Sequence, residues 1–264
     1  KNKAPYNFVC RWAGGSNAGH TIYLNGNVYK THIIPSGIFH GITSVIGPAC
    51  VLHVPSFMSE LEKLKQAGFD TSLVKVSPRT HIVTDAHINY DKQFLRKKLG
   101  TTSRGIAPCY SDKMNRQGIQ AKDVLPAEMI WDEHLYGYVL CEGAQGFELD
   151  IDWGDYPYVT SSHCTSASAL LNSIPAHAVR NVWGVGKVYD TYVGQKTFEP
   201  DSDVFSMIRE IGQEYGATTG RPRQCNWLDL DALNKSLSIN GVTHMVLNKV
   251  DVLEQINNWN IYHG

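Results

Sequence analysis

The sequence predicts an α/β fold with a largely parallel central sheet, flanking helices and ligand loops at the strand ends. Three observations carry this. Strand-like and helix-like runs alternate through much of the chain. The strand-like runs are apolar, as in sheets covered on both faces. Glycine-rich loops repeatedly follow them, and in open α/β sheets ligands bind at the carboxyl ends of strands.

In order, Asn7-Phe8-Val9-Cys10 reads as a short strand, followed by the loop Ala13-Gly14-Gly15-Ser16-Asn17-Ala18-Gly19-His20. Runs 21–24 and 28–34 flank Asn25-Gly26, which reads as a hairpin because both residues tolerate positive φ. A buried-type strand at 50–54 precedes an amphipathic helix at 56–67, which carries Phe57, Leu61 and Leu64 on one face and stops at Gly68. Strands at 73–76 and 81–83 lead to a helix at 85–99, stopped by Gly100. A long polar loop is expected at 101–123, a helix at 127–136 and a strand at 138–141. A further strand is expected at 182–188, helices at 202–215 and 228–239, and an apolar, buried-type strand at 242–247. No repeat or linker interrupts the chain, so residues 1–264 read as one domain.

Composition narrows the function. Lys+Arg number 24 against Asp+Glu 25, so there is no global basic field for nucleic acid. No apolar run approaches the ~20 residues of a spanning helix. A soluble, cytoplasmic protein is the expectation. The six Cys include no Cys-x-x-Cys pair, and several lie in apolar runs. They read as buried free thiols rather than a zinc site.

Several loops carry chemistry-bearing groups. In Tyr215-Gly216-Ala217-Thr218-Thr219-Gly220-Arg221-Pro222-Arg223, two guanidiniums suit a carboxylate or phosphate. Gly100-Thr101-Thr102-Ser103-Arg104-Gly105 reads as a phosphate cradle, with Arg116 further along. His20 offers an imidazole to developing negative charge. Thr160-Ser161-Ser162 is another hydroxyl cluster. Asn248-Lys249-Val250-Asp251 follows an apolar run, and its Asp suits the two donors on guanine. Each of these is also compatible with an ordinary polar turn.

Their joint order is more specific. Asn17-Ala18-Gly19-His20-Thr21, Ile34-Pro35-Ser36-Gly37, Gly100-Thr101-Thr102 with Arg104-Gly105-Ile106, Glu142-Gly143-Ala144-Gln145-Gly146, Tyr156-Pro157-Tyr158-Val159-Thr160-Ser161-Ser162, the 217–223 loop and Lys249-Val250-Asp251 form a series. The series resembles the adenylosuccinate synthetase family from about residue 8 to 254. The resemblance implies a P-loop-NTPase-like fold and a C–N ligase of purine synthesis. In that family GTP, with Mg²⁺, phosphorylates O6 of inosine monophosphate (IMP), and L-aspartate then displaces the phosphate.

The resemblance also assigns roles. His20 and Gln145 would be catalytic, and the Gly19 carbonyl a Mg²⁺ ligand. Asn17, Thr101, Thr102, Gln145 and Thr160 would hold the purine nucleotide. Arg116 would reach the partner's site in a homodimer. Thr218, Thr219, Arg221 and Arg223 would bind aspartate. Thr21, Lys249 and Asp251 would serve GTP, with ATP left open.

The family's N-terminal phosphate loop and C-terminal segment are not found in the sequence. Ser16 stands where the family usually has His, and Tyr192-Val193-Gly194 where it usually has Arg-Val-Gly. A short phage branch uses dGMP instead of IMP, and both substrates stay open. A non-catalytic nucleotide-binding remnant is the competing reading from another class.

Overall fold

Strand β1 (Phe8–Arg11) is buried at all four residues, which is what a run of Phe, Val and Cys achieves only at the centre of a covered sheet. The computed structural model describes residues 5–217 and 219–262. They divide into two compact units, Lys1–Ala176 and His177–Gly264.

In the first unit, β2 (His20–Leu24) and β3 (Asn27–Thr31) form an antiparallel hairpin. Its turn residues Asn25 and Gly26 have φ of 51° and 77°, as expected. Strand β4 (Thr43–Ile46) was not foreseen. Next come β5 (Val51–Leu52), β6 (Val74–Val76), β7 (His81–Ile82) and β8 (Val139–Glu142). The main sheet has the order β6-β4-β1-β8, with every pair parallel. The register sets Arg11 beside Glu142 and Ile46 at the carboxyl edge.

Helix α1 (Val54–Gln66) buries Phe57, Leu61 and Leu64 against the core that holds Ile34, Ile46, Leu52 and Val76. Helices α2 (Asp85–Tyr90) and α3 (Arg96–Leu99) are joined through one wide π turn, Asp91–Leu95. This continuous rod is the expected helix at 85–99, and it ends at Gly100 with φ 68°.

Two expectations in this unit are corrected. The stretch 101–123 is not all loop, because α4 (Ile106–Met114) forms within it and buries Ile106, Cys109 and Tyr110. Pro108 lies in its first turn, where a missing N–H costs nothing. The helix expected at 127–136 is one 3₁₀ turn, Ala127–Met129. The chain then extends so that Trp131 N–H donates to the Val76 carbonyl, and Ile130 bridges Val76.

The second unit contains β9 (Trp183–Lys187), β10 (Tyr189–Tyr192), β11 (Gln224–Asp229), β12 (His244–Asn248) and β13 (Ile261–Tyr262). Its helices are α5 (Asp203–Gly212), α6 (Leu230–Asn240) and α7 (Val250–Ile256). Strands β9 and β12 pair in parallel, and β11 lies between β10 and β13. The core joins Tyr189, Phe205, Ile208, Cys225, Val252 and Leu253. The helix expected from 228 starts at Leu230, because 224–229 forms β11. The strand expected at 242–247 is present as β12. It is not buried: Val246 and Leu247 are exposed and Met245 is half-buried.

All six cysteines are free, and burial pushes the Cys50 and Cys109 thiols up to about 12. Among the described residues, no helix is long and apolar enough to cross a membrane.

Candidate active site

The carboxyl edge of the main sheet gathers the loops at 12–19 and 143–146 beside an ion pair. Arg11, fully buried, donates from Nη2 to Glu142 Oε1 at 2.6 Å. Glu142 Oε2 accepts from the Ser36 backbone N–H at 2.8 Å and from Ser36 Oγ at 2.7 Å. Burial alone would raise the Glu142 carboxyl. The Arg11 guanidinium and the two Ser36 donors overcome that and hold it below the usual carboxylate range.

His20, the first residue of β2, completes the assembly. Its Nε2 lies 3.0 Å from Arg11 Nη1, and its Nδ1 lies 3.6 Å from Glu142 Oε1. A guanidinium only donates, so Nε2 accepts and the ring proton sits on Nδ1. Burial, then the Arg11 charge, lowers the His20 pKa to about 4. The imidazole is therefore neutral near pH 7 and offers an N–H, not a positive charge.

The loop before β2 is braced from several sides. A Cβ on Gly15 would lie 2.8 Å from the Val51 carbonyl oxygen, so only glycine fits there. Gly14 N–H donates to Tyr110 Oη at 3.2 Å, and that hydroxyl donates to the Ala49 carbonyl at 2.6 Å. Asn17 Oδ1 accepts from Gly15 N–H at 3.2 Å, while its Nδ2 donates to Thr160 Oγ1 at 3.5 Å. His32 Nδ1 donates to the Ala18 carbonyl at 2.8 Å. Gly19 and Thr21 are exposed on either side of His20. Gln145 takes φ 63°, and its buried Oε1 has no hydrogen-bond partner.

The structure thus joins Asn17 with Thr160, and sets His20 beside Glu142, three residues before Gln145. Thr102 is half-buried. Thr101 is turned inward, its hydroxyl donating to Asp91 Oδ1 at 2.5 Å. Arg116 is exposed with φ 63° just past the end of α4.

In the second unit the loop after α5 closes on itself. Gly216 N–H donates to the Arg221 carbonyl at 2.8 Å, and Gly220 N–H to the Gly216 carbonyl at 2.7 Å. Thr219 Oγ1 accepts from Arg221 Nε at 3.3 Å. Thr218 lies outside the described residues. Arg223 Nη1 and Lys187 Nζ both lie 2.7 Å from Glu214 Oε2, and Tyr189 Oη donates to Oε1 at 2.7 Å. Glu214 is buried. Burial opposes its charge, but the Lys187 hydrogen bond and the neighbouring cations hold its carboxyl low. Two cations on one carboxylate leave a net positive cluster at the base of the loop. Lys249, with φ 66°, sends Nζ to the Gly212 carbonyl at 2.7 Å, and Asp251 is exposed in the first turn of α7.

Sequence reasoning named Glu142 only inside a motif and missed Arg11, Lys187 and Glu214 as site residues. For Arg11, Glu142 and Lys187 the signal is a charge at the end of a strand run, where a charge persists only when paired, whereas Glu214 follows a helix and carries no such signal.

Comparison with known proteins gives the family. The adenylosuccinate synthetase family model matches residues 3–136 and 127–264. Adenylosuccinate synthetase from Lysinibacillus sphaericus is 36% identical over 93% of this chain and 71% of its own length. The Thermus thermophilus enzyme is 36% identical over 93% of this chain and 72% of its own. The fully ligated adenylosuccinate synthetase from Plasmodium falciparum superposes with TM-score 0.82 at 33% identity, covering 94% of this chain and 72% of that one. Succinoaminodeoxyadenylate synthetase from cyanophage S-2L shares the fold, with TM-score 0.76 at 21% identity over 95% of this chain and 80% of that one. The chain belongs to the adenylosuccinate synthetase family of C–N ligases in purine nucleotide synthesis.

Proposed function

We propose that this chain carries out the GTP-driven condensation of L-aspartate with C6 of a 6-oxopurine monophosphate, IMP to adenylosuccinate. The γ-phosphoryl of GTP passes to O6 with GDP as the leaving group, and the purine N1 proton is released to solvent. The aspartate amine then attacks C6, and O6 departs with inorganic phosphate. Phosphorylation turns a poor oxygen leaving group into a good one.

The observation that carries this reading is the buried Arg11–Glu142 pair holding a neutral His20 at the sheet's carboxyl edge. A neutral imidazole donates its Nδ1–H to charge developing on O6 or the moving phosphoryl by turning that N–H away from Glu142 Oε1, 3.6 Å off. Gln145 Oε1, buried and unpaired, is an acceptor for a purine N–H. Asn17 and Thr160 hold the nucleotide. In the second unit, Thr218, Thr219, Arg221 and Arg223 take the aspartate carboxylates. Asp251 accepts the two guanine donors, beside Lys249. Arg116 serves a partner's site in a homodimer.

Among the described residues no group of three or more His, Cys, Asp or Glu side chains could hold a metal ion. The exposed Gly19 carbonyl is a hard oxygen of the kind Mg²⁺ takes, with nucleotide phosphates supplying further ligands. When bound, Mg²⁺ neutralises charge on the phosphates.

The cyanophage enzyme of the same fold was solved with dGMP and with dATP as energy donor. The test therefore assays the full-length protein with IMP and dGMP, each with GTP and ATP, following aspartate-dependent product. IMP with GTP should be the fastest pair. Turnover confined to dGMP would replace IMP as the substrate, and no aspartate adduct from any pair would refute the ligase reading.

A further inference from the structure

The loop after α3 is shaped by a residue outside it. The π turn at Asp91–Leu95 adds a residue to one helical turn, and such bulges often mark functional positions. Asp91 is buried, while Lys92, Gln93 and Phe94 in the same turn face solvent. Both of its carboxylate oxygens are spent on the loop. Oδ1 accepts the Thr101 hydroxyl at 2.5 Å, and Oδ2 accepts the Gly105 N–H at 2.9 Å. Thr101 Oγ1 also accepts from Ser103 N–H at 3.3 Å.

These ties hold an uncommon backbone. Ser103 takes φ 56°, a left-handed conformation that a residue with a Cβ adopts only when held. Gly105, at φ 71°, is pressed so close to α2 that a Cβ there would lie 2.8 Å from Ile88 N. One carboxylate therefore fixes both ends of the turn, and Thr101 is a strut inside it. The half-buried Thr102 and Arg104 are not consumed in this way.

We propose that Asp91 is a positioning residue for the purine-nucleotide loop, with Thr101 as its internal strut and Thr102 and Arg104 as the contacting groups. This rests on the reading of 100–105 as the cradle of the nucleotide phosphate. Asparagine at this position can accept from Gly105 N–H through Oδ1. Its Nδ2 must then donate to Thr101 Oγ1, which reverses that hydrogen bond. Alanine loses both ties.

The experiment compares Asp91→Asn, Asp91→Ala, Thr101→Val, Thr102→Val and Arg104→Ala in the full-length protein. It measures kcat and KM for IMP, thermal stability, and hydrogen exchange at the Gly105 amide without ligand. Asp91→Asn and Thr101→Val should raise the IMP KM about tenfold, with kcat within about threefold. Asp91→Ala should raise KM further and speed exchange at Gly105 about tenfold or more. A folded Asp91→Ala protein with wild-type IMP KM overturns the proposal, whether or not its stability or exchange changes. If Thr102→Val and Arg104→Ala raise KM while the Asp91 variants do not, the positioning role alone fails. If none of the five moves KM, the cradle reading fails and takes the proposal with it.

Discussion

Glu142→Gln is the sharpest perturbation of the buried pair. The carboxylate receives three close donors: Arg11 Nη2 at 2.6 Å, Ser36 N–H at 2.8 Å and Ser36 Oγ at 2.7 Å. An amide has the same shape but one acceptor oxygen. If Oε1 faces Arg11, the amide Nε2 meets the Ser36 N–H, donor against donor. If it is flipped, Nε2 meets the guanidinium. Either way Arg11, fully buried, keeps its charge without a counter-charge. Removing one partner of a buried pair costs about 3–5 kcal/mol. For a chain of this size that is a fall in Tm of roughly 10 °C. Urea and thermal unfolding followed by circular dichroism would measure it. The double substitution Arg11→Met with Glu142→Met should recover most of the stability, because no orphan charge remains, while activity stays low. A loss under about 1 kcal/mol for Glu142→Gln would refute the argument that the pair is electrostatically closed.

Further outcomes follow from the same geometry. His20→Asn should lower kcat by about 10²–10⁴-fold while the nucleotide KM and Tm stay near wild type; unfolding, or near-normal turnover, would mark His20 as structural. Arg223→Leu should raise the aspartate KM about 10–100-fold, with a far smaller effect on the nucleotide; unchanged aspartate saturation would remove it from the site. Stability should fall as pH drops. The unfolded chain protonates His near 6.5, but folded His20 does so only near about 4, so protons favour unfolding across that window. Glu214, held low when folded, adds to the loss below about 4.5. A stability flat from pH 6.5 to 4 would contradict the burial of His20. Asp251→Asn should lower GTP use relative to xanthosine triphosphate, since an amide can donate to a carbonyl at guanine's C2 position. An unchanged donor ratio would place guanine reading elsewhere.

Local chemistry made much of the fold legible. Asn25-Gly26, Gly68 and Gly100 act through backbone conformation alone, so the hairpin and two helix ends appeared where the sequence places them. What failed was decided by distant partners. Strand β4 is four residues flanked by glycines, and it is a strand because β1 and β6 pair with it on either side. Helix α4 was hidden by Gly105 and Pro108, which read as turn residues until Asp91 is seen holding the Gly105 amide. The apolar run in β12 implied burial, yet most of the strand is exposed, because periodicity cannot tell a covered face from an open one. The candidate site divides in the same way. His20, Asn17, Thr160 and Gln145 stand out by motif. Arg11 and Glu142 are 131 residues apart, and only the parallel register of β1 and β8 makes them neighbours. The carboxylate that ties down Arg223 likewise escaped notice, because Glu214 looks like an ordinary helix-end charge.

The central claim is that O6 of the purine leaves as phosphate when aspartate attacks C6. It is tested most directly by giving the full-length protein IMP labelled with ¹⁸O at O6, GTP, Mg²⁺ and L-aspartate, and reading the mass of the released inorganic phosphate. The account requires one ¹⁸O in each phosphate, matched mole for mole by adenylosuccinate. Unlabelled phosphate alongside the adduct would contradict the phosphoryl intermediate, and unlabelled phosphate with no adduct would make the protein a GTP hydrolase rather than a ligase.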